Sequence, residues 1–269
     1  MRELYMIKLG GGSITEQNSP RTAKRKEISR LLGEIQEARG EKGFDAIIGH
    51  GSGSFGHVVA KEYNVHEGLY NENSAKGAIL TKLAASELNS IVLDEALKLG
   101  MPVFPFFPSS FLFSSKRKPR EGFVGHIANA IEHGFIPVVH GDVVMDDEQG
   151  VSIASTEQVL CFIASRMNTK KIIIATDVDG IYDKDPTQWP DANFIESVSS
   201  SNIDDVINST GAAHKVDVTG GMKSKVSLLY EMVKSSDGTT GYIVNAGRPG
   251  VLKSALAGDK NVRCTSITK

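Results

Sequence analysis

The chain has 269 residues and a formal net charge of −2, from 30 Lys and Arg against 32 Asp and Glu. Because the basic residues are spread along the chain, no charged patch indicates a nucleic acid or an anionic membrane as a partner. The two cysteines, Cys161 and Cys264, lack metal-ligand spacing, and no apolar stretch is long enough to span a bilayer. We therefore expect a cytoplasmic protein without a disulfide framework.

Short apolar runs rich in β-branched residues alternate with helical patterns in both halves of the chain. The first half predicts strands in LYMIKL, DAIIGH, PVFPF and FIPVVHGDVV, and helices over residues 22–40, closed by Gly40, over residues 74–99 and in HIANAIEHG. After the helix STEQVLCFIASRM, the second half predicts strands in KKIIIAT and GYIVN around a helix that begins at TGGMKSK. This alternation predicts an α/β protein, a three-layer αβα sandwich with a largely parallel central sheet. The renewed start after the Cys161 helix predicts a domain boundary between residues 1–167 and 168–269.

The first predicted strand leads directly into the glycine turn KLGGGS, which runs from Lys8 to Ser13. Its consecutive glycines, Gly10, Gly11 and Gly12, expose backbone N–H groups, and Lys8 adds a fixed positive charge at the strand end. Such a turn suits an anion, in particular the equatorial oxygens of a phosphoryl group in transfer. An ordinary glycine-rich turn with a surface lysine is the alternative interpretation.

The second predicted strand ends in another glycine turn, HGSGSFGH, with Gly51, Gly53 and Gly56 in G-x-G-x-x-G spacing. His50 and His57 flank these glycines. By itself the turn fits the phosphate of a dinucleotide, of a phosphoryl donor or of a phosphoryl acceptor. A Rossmann dehydrogenase is disfavoured because its fingerprint normally opens the βαβ unit, whereas here a different glycine turn comes first.

Three further motifs lie at strand ends or at a helix start. They are Gly141 with Asp142 in HGDVV, Asp177 with Asp179 in TDVDG, and Gly221 with Lys225 in TGGMKSK. Acidic strand ends can hold a nucleotide sugar, Mg²⁺ or a lysine, although Asp-Gly is also a common turn. The last motif suits an anion, or is a plain helix start capped by Thr219.

No P-loop and no metal-binding His or Cys set is present in the sequence. Because parallel sheets bind ligands at the carboxyl ends of their strands, the turns together predict two phosphate-bearing ligands that meet head to head.

In their order along the chain, KLGGGS, TDVDGIY and TGGMKSK resemble the amino acid kinase superfamily over nearly the full length. Within it, HGSGSFGH followed by AKEY and HGDVV resembles the isopentenyl phosphate kinases, whose histidine closing G-S-F-G-H binds the phosphate of the acceptor. The resemblance implies ATP-dependent conversion of isopentenyl phosphate to isopentenyl diphosphate, with Mg²⁺ bridging ATP oxygens. It also implies a homodimer joined through the acceptor-binding domain, residues 1–167, and a nucleotide-binding domain in residues 168–269.

The same resemblance assigns roles to individual residues, and it implies no side chain as a metal ligand. The residues implied at ATP are Lys8, Gly10, Gly11, Gly12, Gly53, Asp177, Gly221 and Lys225. Those implied at the acceptor are Ser52, His57, Gly141 and Asp142, and the implied catalytic positions are Lys8, Gln17, His57 and Lys225. The helix from Ala78 to Leu99 and the Phe-rich segment after Pro105 would form apolar walls for the five-carbon tail.

Two residues depart from the family pattern. Gln17 stands where the family has a transition-state lysine, and Glu157 replaces the aspartate that organises the lysines. A neutral amide offsets less developing phosphoryl charge than an ammonium, so we expect a slower enzyme than one with lysine at position 17, unless Lys24 or Arg21 reaches the site. Two alternatives stay open: a fosfomycin-type phosphonate kinase, and a catalytically weak ligand-binding member of the superfamily.

Overall fold

The computed structural model describes residues 2–186, 188–210 and 221–269, which form α-helices and β-strands in alternation. The strands are β1 (Leu4–Leu9), β2 (Asp45–His50), β3 (Val103–Pro105), β4 (Leu112–Ser115), β5 (Lys118–Gly122), β6 (Ile136–His140), β7 (Asp142–Asp146), β8 (Gly150–Ala154), β9 (Lys171–Thr176), β10 (Ile181–Tyr182), β11 (Phe194–Ile195), β12 (Ser197–Val198), β13 (Thr240–Asn245) and β14 (Thr265–Ile267). The helices are α1 (Gly11–Ile14), α2 (Arg25–Lys42), α3 (Gly53–Glu62), α4 (Ser74–Lys98), α5 (Gly125–Glu132), α6 (Thr156–Ala164), α7 (Ile203–Thr210), α8 (Gly221–Lys234) and α9 (Val251–Ala257). Within these ranges no helix is both long and apolar enough to cross a bilayer.

Eight strands form the central sheet, in the order β12-β14-β13-β9-β1-β2-β6-β3. The strands from β13 to β3 are mutually parallel, and β14 runs antiparallel to β13 at one edge. β1 lies at the centre, between β2 and β9. The predicted largely parallel sheet is confirmed.

Alternate side chains of each central strand face opposite helical layers, as the pleat of a strand requires. In β1, Ile7 and Leu9 pack into a core with residues of α2, α4 and α9, whereas Met6 packs into a core with residues of α6 and α8. Both faces of the sheet are therefore covered, which explains why its strands are apolar at nearly every position. The predicted three-layer αβα sandwich is confirmed.

The sheet runs without interruption across the predicted domain boundary. β1 and β9 lie on opposite sides of that boundary in the sequence and pair directly along their length. The buried Glu34 of α2 also accepts hydrogen bonds from Gly250 N (3.0 Å) and Lys253 N (3.1 Å) at the start of α9. The assignment of residues 1–167 and 168–269 to acceptor and nucleotide remains a prediction about function within one continuous sheet.

Two element boundaries differ from the sequence-based predictions. FIPVVHGDVV is two strands, because the chain turns at Gly141 and β7 leaves the central sheet for a separate four-stranded sheet, β5-β4-β7-β8. α2 continues through Gly40 and ends at Lys42. Its C-cap is Gly43, whose left-handed φ of 71° suits glycine and whose N–H donates to Arg39 O at 2.9 Å. An apolar run does not reveal an internal turn, and a glycine inside a helix does not by itself end it.

Candidate active site

The carboxyl ends of four parallel strands bring the predicted motifs to one edge of the sheet. Leu9, at the end of β1, pairs with His50 of β2 and with Ala175 of β9, and His50 pairs in turn with His140 of β6. Both glycine turns, the Gly141 turn and Asp177 follow these strand ends directly. The topology therefore places the donor-side and acceptor-side motifs next to each other, as the sequence predicted.

The two glycine turns touch each other through their backbones. A Cβ placed on Gly11 would lie 2.6 Å from Gly53 N, and a Cβ placed on Gly51 would lie 2.8 Å from Gly11 N. Gly53 also has a φ of +46°, in the left-handed region. Because no side chain fits at these three positions, only glycine allows the two turns to lie in contact.

The first glycine turn presents N–H groups for which no described residue provides an acceptor. Gly10 N donates to Ala175 O (2.8 Å), and Gly10 O accepts from Ser13 N (3.0 Å) and Ile14 N (3.2 Å). The N–H groups of Gly11 and Gly12 meet no acceptor among the described residues. Adjacent free amides of this kind form a concave site for phosphate oxygens.

Thr15 joins the two turns, although no sequence signal pointed to it. Its hydroxyl donates to Gly11 O (2.8 Å) and accepts from Ser54 N (3.1 Å) at the start of α3. The buried Thr15 side chain therefore fixes the spacing between the donor-side and acceptor-side turns.

Lys8 lies beneath the first glycine turn and is ion-paired with Glu157. Lys8 Nζ is 2.9 Å from Glu157 Oε1, and both side chains are at most 10% exposed. Burial alone would raise the pKa of Glu157, but the charge and hydrogen bond of Lys8, with the charge of Lys225, hold that pKa below its ordinary value. Glu157 is therefore a carboxylate, and it occupies the lysine-organising position that the sequence assigned to it.

Helix capping explains how Glu157 reaches Lys8. Ser155 and Gln158 form a capping box that starts α6 directly after β8, and Glu157 lies in the first turn of that helix. The hydroxyl of Thr156 donates to His50 O at 2.8 Å, which fastens the same turn to the end of β2.

The nucleotide-side residues Lys225, Gly221 and Asp177 come from the second half of the chain. Lys225, in α8, is close enough to Glu157 to lower its pKa, and its Nζ lies 3.5 Å from Gly221 O. The exposed Asp177 faces the first glycine turn, with Oδ2 3.8 Å from a Cβ placed on Gly12. Thr219 and Gly220, which precede Gly221 in the motif, lie outside the described residues.

The hairpin between α1 and α2 carries the candidates for the missing transition-state cation. The amide Nε2 of Gln17 lies 2.9 Å from a Cβ placed on Gly12, so Gln17 borders the first glycine turn as predicted. Lys24 Nζ donates to Gly12 O at 3.3 Å. Arg21 instead forms an ion pair with Glu87 of α4, and the two side chains are about half exposed.

On the acceptor side, Ser52 and His57 flank the first turn of α3. Ser52 O accepts from Phe55 N (3.1 Å) and Gly56 N (3.3 Å), so Ser52 starts the helix. A Cβ on Gly56 would collide with the Ser52 side chain at 2.7 Å, so Gly56 lets this turn fold tightly. His57 follows Gly56 and is partly exposed, which leaves it accessible to a ligand at this edge.

Asp142 is fully buried and bound to groups of the protein. Its carboxylate accepts from Lys82 Nζ at 2.8 and 2.9 Å, from Ser109 N at 3.0 Å and from Val143 N at 2.8 Å. Asp142 thus positions Lys82 of α4 and the turn at 108–110 rather than offering a free carboxylate. Sequence reasoning missed Lys82, although it is the only charged residue between Lys76 and Glu87 in an otherwise apolar stretch.

Two buried histidines, His50 and His140, stack beneath the acceptor side with ring centroids 5.5 Å apart. Burial is the main cause that lowers the pKa of His50 to about 4, with a further contribution from the charge of His140. Burial also lowers the pKa of His140. His50 Nε2 lies 3.0 Å from Asn89 Oδ1, and Phe107 packs edge-on against His140 at 5.5 Å. This contact brings the Phe-rich segment to the acceptor side, where the resemblance places the tail.

Comparison with known proteins agrees with this arrangement. The model of the amino acid kinase family matches residues 3–245. The isopentenyl phosphate kinase of Methanothermobacter thermautotrophicus is 34% identical over 98% of this chain and 99% of its own length, and that of Methanocaldococcus jannaschii is 29% identical over 95% and 96%. A solved isopentenyl phosphate kinase structure superimposes with a TM-score of 0.84 at 31% identity and covers 98% of this chain and 100% of its own. The chain therefore belongs to the amino acid kinase family and, within it, to the isopentenyl phosphate kinases.

Proposed function

We propose that this protein transfers the γ-phosphoryl group of ATP to isopentenyl phosphate and forms isopentenyl diphosphate and ADP. The observation that carries the proposal is the backbone contact between Gly11 and the Gly51–Gly53 turn. Two phosphates bound at turns in contact lie close enough for direct transfer, without a covalent enzyme intermediate. The family and the two named relatives support the same reaction.

In this reaction an oxygen of the acceptor phosphate attacks the γ-phosphorus of ATP. A new O–P bond forms while the bond between the γ-phosphorus and its bridging oxygen breaks, and ADP leaves with that electron pair. The protein contributes positioning and charge neutralisation, which supply most of the catalysis in phosphoryl transfer.

Each group at the strand edge then has a defined task. The N–H groups of Gly11 and Gly12 hold phosphate oxygens of the donor, and Lys8, fixed by Glu157, neutralises charge beneath them. Lys225 approaches from the nucleotide side, and His57 binds the acceptor phosphate. Gly141 lines the acceptor, while Asp142 acts through Lys82. These assignments are predictions that mutagenesis can test.

Mg²⁺, when bound to the oxygens of ATP, would supply further charge neutralisation. Among the described residues, no three acidic, His or Cys side chains converge in a metal-binding cluster. In this proposal the magnesium ion is held mainly by substrate phosphates and water, as Mg²⁺ commonly is. We also propose that the protein is cytoplasmic and forms a homodimer joined through residues 1–167, as the resemblance implies. Light scattering would test the dimer through its molar mass.

A coupled ADP-release assay tests the proposed reaction. The acceptors are isopentenyl phosphate, dimethylallyl phosphate, fosfomycin and N-acetylglutamate, each with ATP and Mg²⁺. We expect turnover of the two prenyl phosphates and none of N-acetylglutamate, because His57 recognises a phosphate and the site offers apolar walls. Preferred turnover of fosfomycin or of the carboxylate would contradict the proposal and assign the chain to another activity of the fold.

A further inference from the structure

The segment from Thr15 to Lys24 folds back over the first glycine turn as a hairpin, here called the 15–24 hairpin. Thr15 and Ala23 form an antiparallel bridge, and Glu16 N donates to Thr22 O at 2.9 Å. Lys24 N donates to Ile14 O at 2.8 Å, which fixes the end of the hairpin beside α1. The hairpin is thus held at its base, and its side chains have a defined position relative to Gly12.

Lys24 is held at the glycine turn by a hydrogen bond to a neutral carbonyl group, not by a carboxylate. Its Nζ donates to Gly12 O at 3.3 Å, and among the described residues no ion pair involves Lys24. The neighbouring Gln17 is neutral, and Lys8 is already paired with Glu157. On this side of the turn, therefore, Lys24 carries a positive charge that forms no ion pair with any described carboxylate, although the exposed Asp177 also borders Gly12.

The position of Lys24 is also unfavourable for the helix that it precedes. Lys24 is the N-cap of α2 and makes no side-chain cap hydrogen bond. A lysine at an N-cap neither satisfies the free N–H groups nor complements the positive end of the helix dipole, whereas asparagine does the first. A residue that is poor for folding and is placed at the site of charge development points to a functional role.

We propose that Lys24 is a catalytic residue, whose ammonium moves from the Gly12 carbonyl to an equatorial oxygen of the phosphoryl group in transfer. It supplies the charge that Gln17 lacks, while the Gln17 amide donates a neutral hydrogen bond. The inference rests on the proposed phosphoryl transfer and names the residue that completes its cationic surroundings.

Three variants test this role: Lys24→Asn, Lys24→Arg and the matched control Lys26→Asn, which removes the same charge from an exposed position two residues later. We expect Lys24→Asn to lower kcat on the order of 100-fold with little change in either KM, because the lost contact acts in the transition state. Lys24→Arg retains part of the rate, and Lys26→Asn is unchanged. Because asparagine is the better N-cap, Lys24→Asn should also raise Tm.

A rescue experiment separates the catalytic role from a structural one. Adding Gln17→Lys to Lys24→Asn should raise kcat at least tenfold. This increase should exceed the one that Gln17→Lys causes in the wild-type chain, because both lysines would act on the phosphoryl group in transfer. If Lys24 only holds the Gly12 carbonyl, Lys24→Asn lowers Tm and raises the KM for ATP, and lysine at position 17 restores nothing. A kcat for Lys24→Asn within twofold of wild type would also overturn the proposal.

A binding measurement decides the point independently of the acceptor. ADP with Mg²⁺ and aluminium fluoride mimics the planar phosphoryl group, and calorimetry gives its affinity relative to ADP with Mg²⁺ alone. Lys24→Asn should reduce at least tenfold the increase in affinity that aluminium fluoride causes, whereas the affinity for ADP with Mg²⁺ alone stays the same. An unchanged increase would refute the assignment. Failure of the wild-type enzyme to use isopentenyl phosphate would instead contradict the proposed substrate. The comparison of ADP–aluminium fluoride affinities between the wild type and Lys24→Asn would still test the role of Lys24.

Discussion

Lys8 and Glu157 form a buried ion pair that we expect to contribute to both stability and rate. Because both side chains are almost completely buried, loss of one charge leaves the other without compensation in a medium of low polarity. We expect Glu157→Gln to reduce the free energy of unfolding by about 3 kcal/mol and to lower kcat, since Lys8 loses the group that orients it. Urea unfolding and steady-state kinetics on the same samples measure both effects.

Glu148 offers the matched control for this prediction. Its ion pair with Lys116 (3.3 Å) is more than half exposed, so Glu148→Gln should change neither stability nor rate appreciably. Equal stability losses in the two variants would show that the Lys8–Glu157 pair has no special contribution.

His57 gives a second prediction at the residue scale. His57→Ala should lose about 2–4 kcal/mol of transition-state stabilisation in kcat/KM for isopentenyl phosphate, while the affinity for ATP stays the same, because the proposed role of His57 is to bind the acceptor phosphate and not the nucleotide. Steady-state kinetics give kcat/KM for isopentenyl phosphate, and a separate titration with ATP gives the nucleotide affinity. His66→Ala is the control, since His66 is only partly buried and lies in the turn after α3, outside the glycine turns. A His57 variant with normal turnover would refute the assignment.

Individual site residues were predictable from sequence where they stand in a motif, and unpredictable where tertiary contacts select them. The glycines of both turns, Lys8 and Lys225 follow from local spacing and resemblance. Thr15 and Lys82 do not, because each acts on a partner that only the folded chain brings near: Gly11 and Ser54 for Thr15, and Asp142 for Lys82. The sequence HGDVV also gave no indication that the side chain of Asp142 is fully buried.

At the scale of elements, the buried histidines at the ends of β2 and β6 predict a loss of stability in acid. His50 has a folded pKa of about 4 against 6.5 in the unfolded chain, and the nearby charges of His140 and Lys8 add to the effect of burial. The unfolded state therefore binds more protons between these values, and the stability that the neutral His50 contributes is present above pH 6.5 and is lost as the pH falls towards 4. The difference between 6.5 and about 4 corresponds to about 3 kcal/mol.

Urea unfolding between pH 7.5 and 4.5 measures this loss. The window ends at the unfolded pKa of Glu157, 4.5, so the stability linked to the lowered folded pKa of Glu157 is lost mainly below the window. His50→Gln removes the titrating group, so its stability should fall less steeply over the same range, although its stability at pH 7.5 is lower. Parallel curves for the variant and the wild type would show that other groups, such as His140 or the carboxylates, cause the acid sensitivity.

Helices and strands were predicted well where the pattern was long and regular, as in β1, β2, α4 and β9. Predictions failed at boundaries, because a boundary depends on what the chain packs against. β6 and β7 share one apolar run, yet β6 pairs with β2 whereas β7 pairs with β8 in another sheet. Nothing in the run indicates that its second half changes partner.

At the scale of the whole molecule, one sheet and two shared cores join the two halves. Leu31 of α2 and Leu252 of α9 belong to the same core, and β1 pairs with β9 across the predicted boundary. We therefore expect a single cooperative unfolding transition in the absence of ligand, with equal calorimetric and van't Hoff enthalpies. Scanning calorimetry tests this, and two resolved transitions would show that residues 1–167 and 168–269 unfold separately.

The general architecture followed from alternation and from the position of the motifs at strand ends. The four-stranded side sheet and the antiparallel β14 did not, because short strands carry little periodicity and are selected by the partners they meet. The sandwich was predictable because it depends on many residues, and the side sheet was not because it depends on few.

The contact between Gly11 and the Gly51–Gly53 turn has a consequence for inhibition. If the two turns hold the donor and acceptor phosphates as proposed, a single molecule that links adenosine to an isopentenyl group through a tetraphosphate occupies both turns at once. Its second half binds at a high effective concentration, so we expect its Kd to lie at least about 100-fold below that of ATP. Titration calorimetry against ATP and isopentenyl phosphate checks this. An affinity no better than that of ATP would mean that the two turns, although in contact, do not hold their phosphates in line.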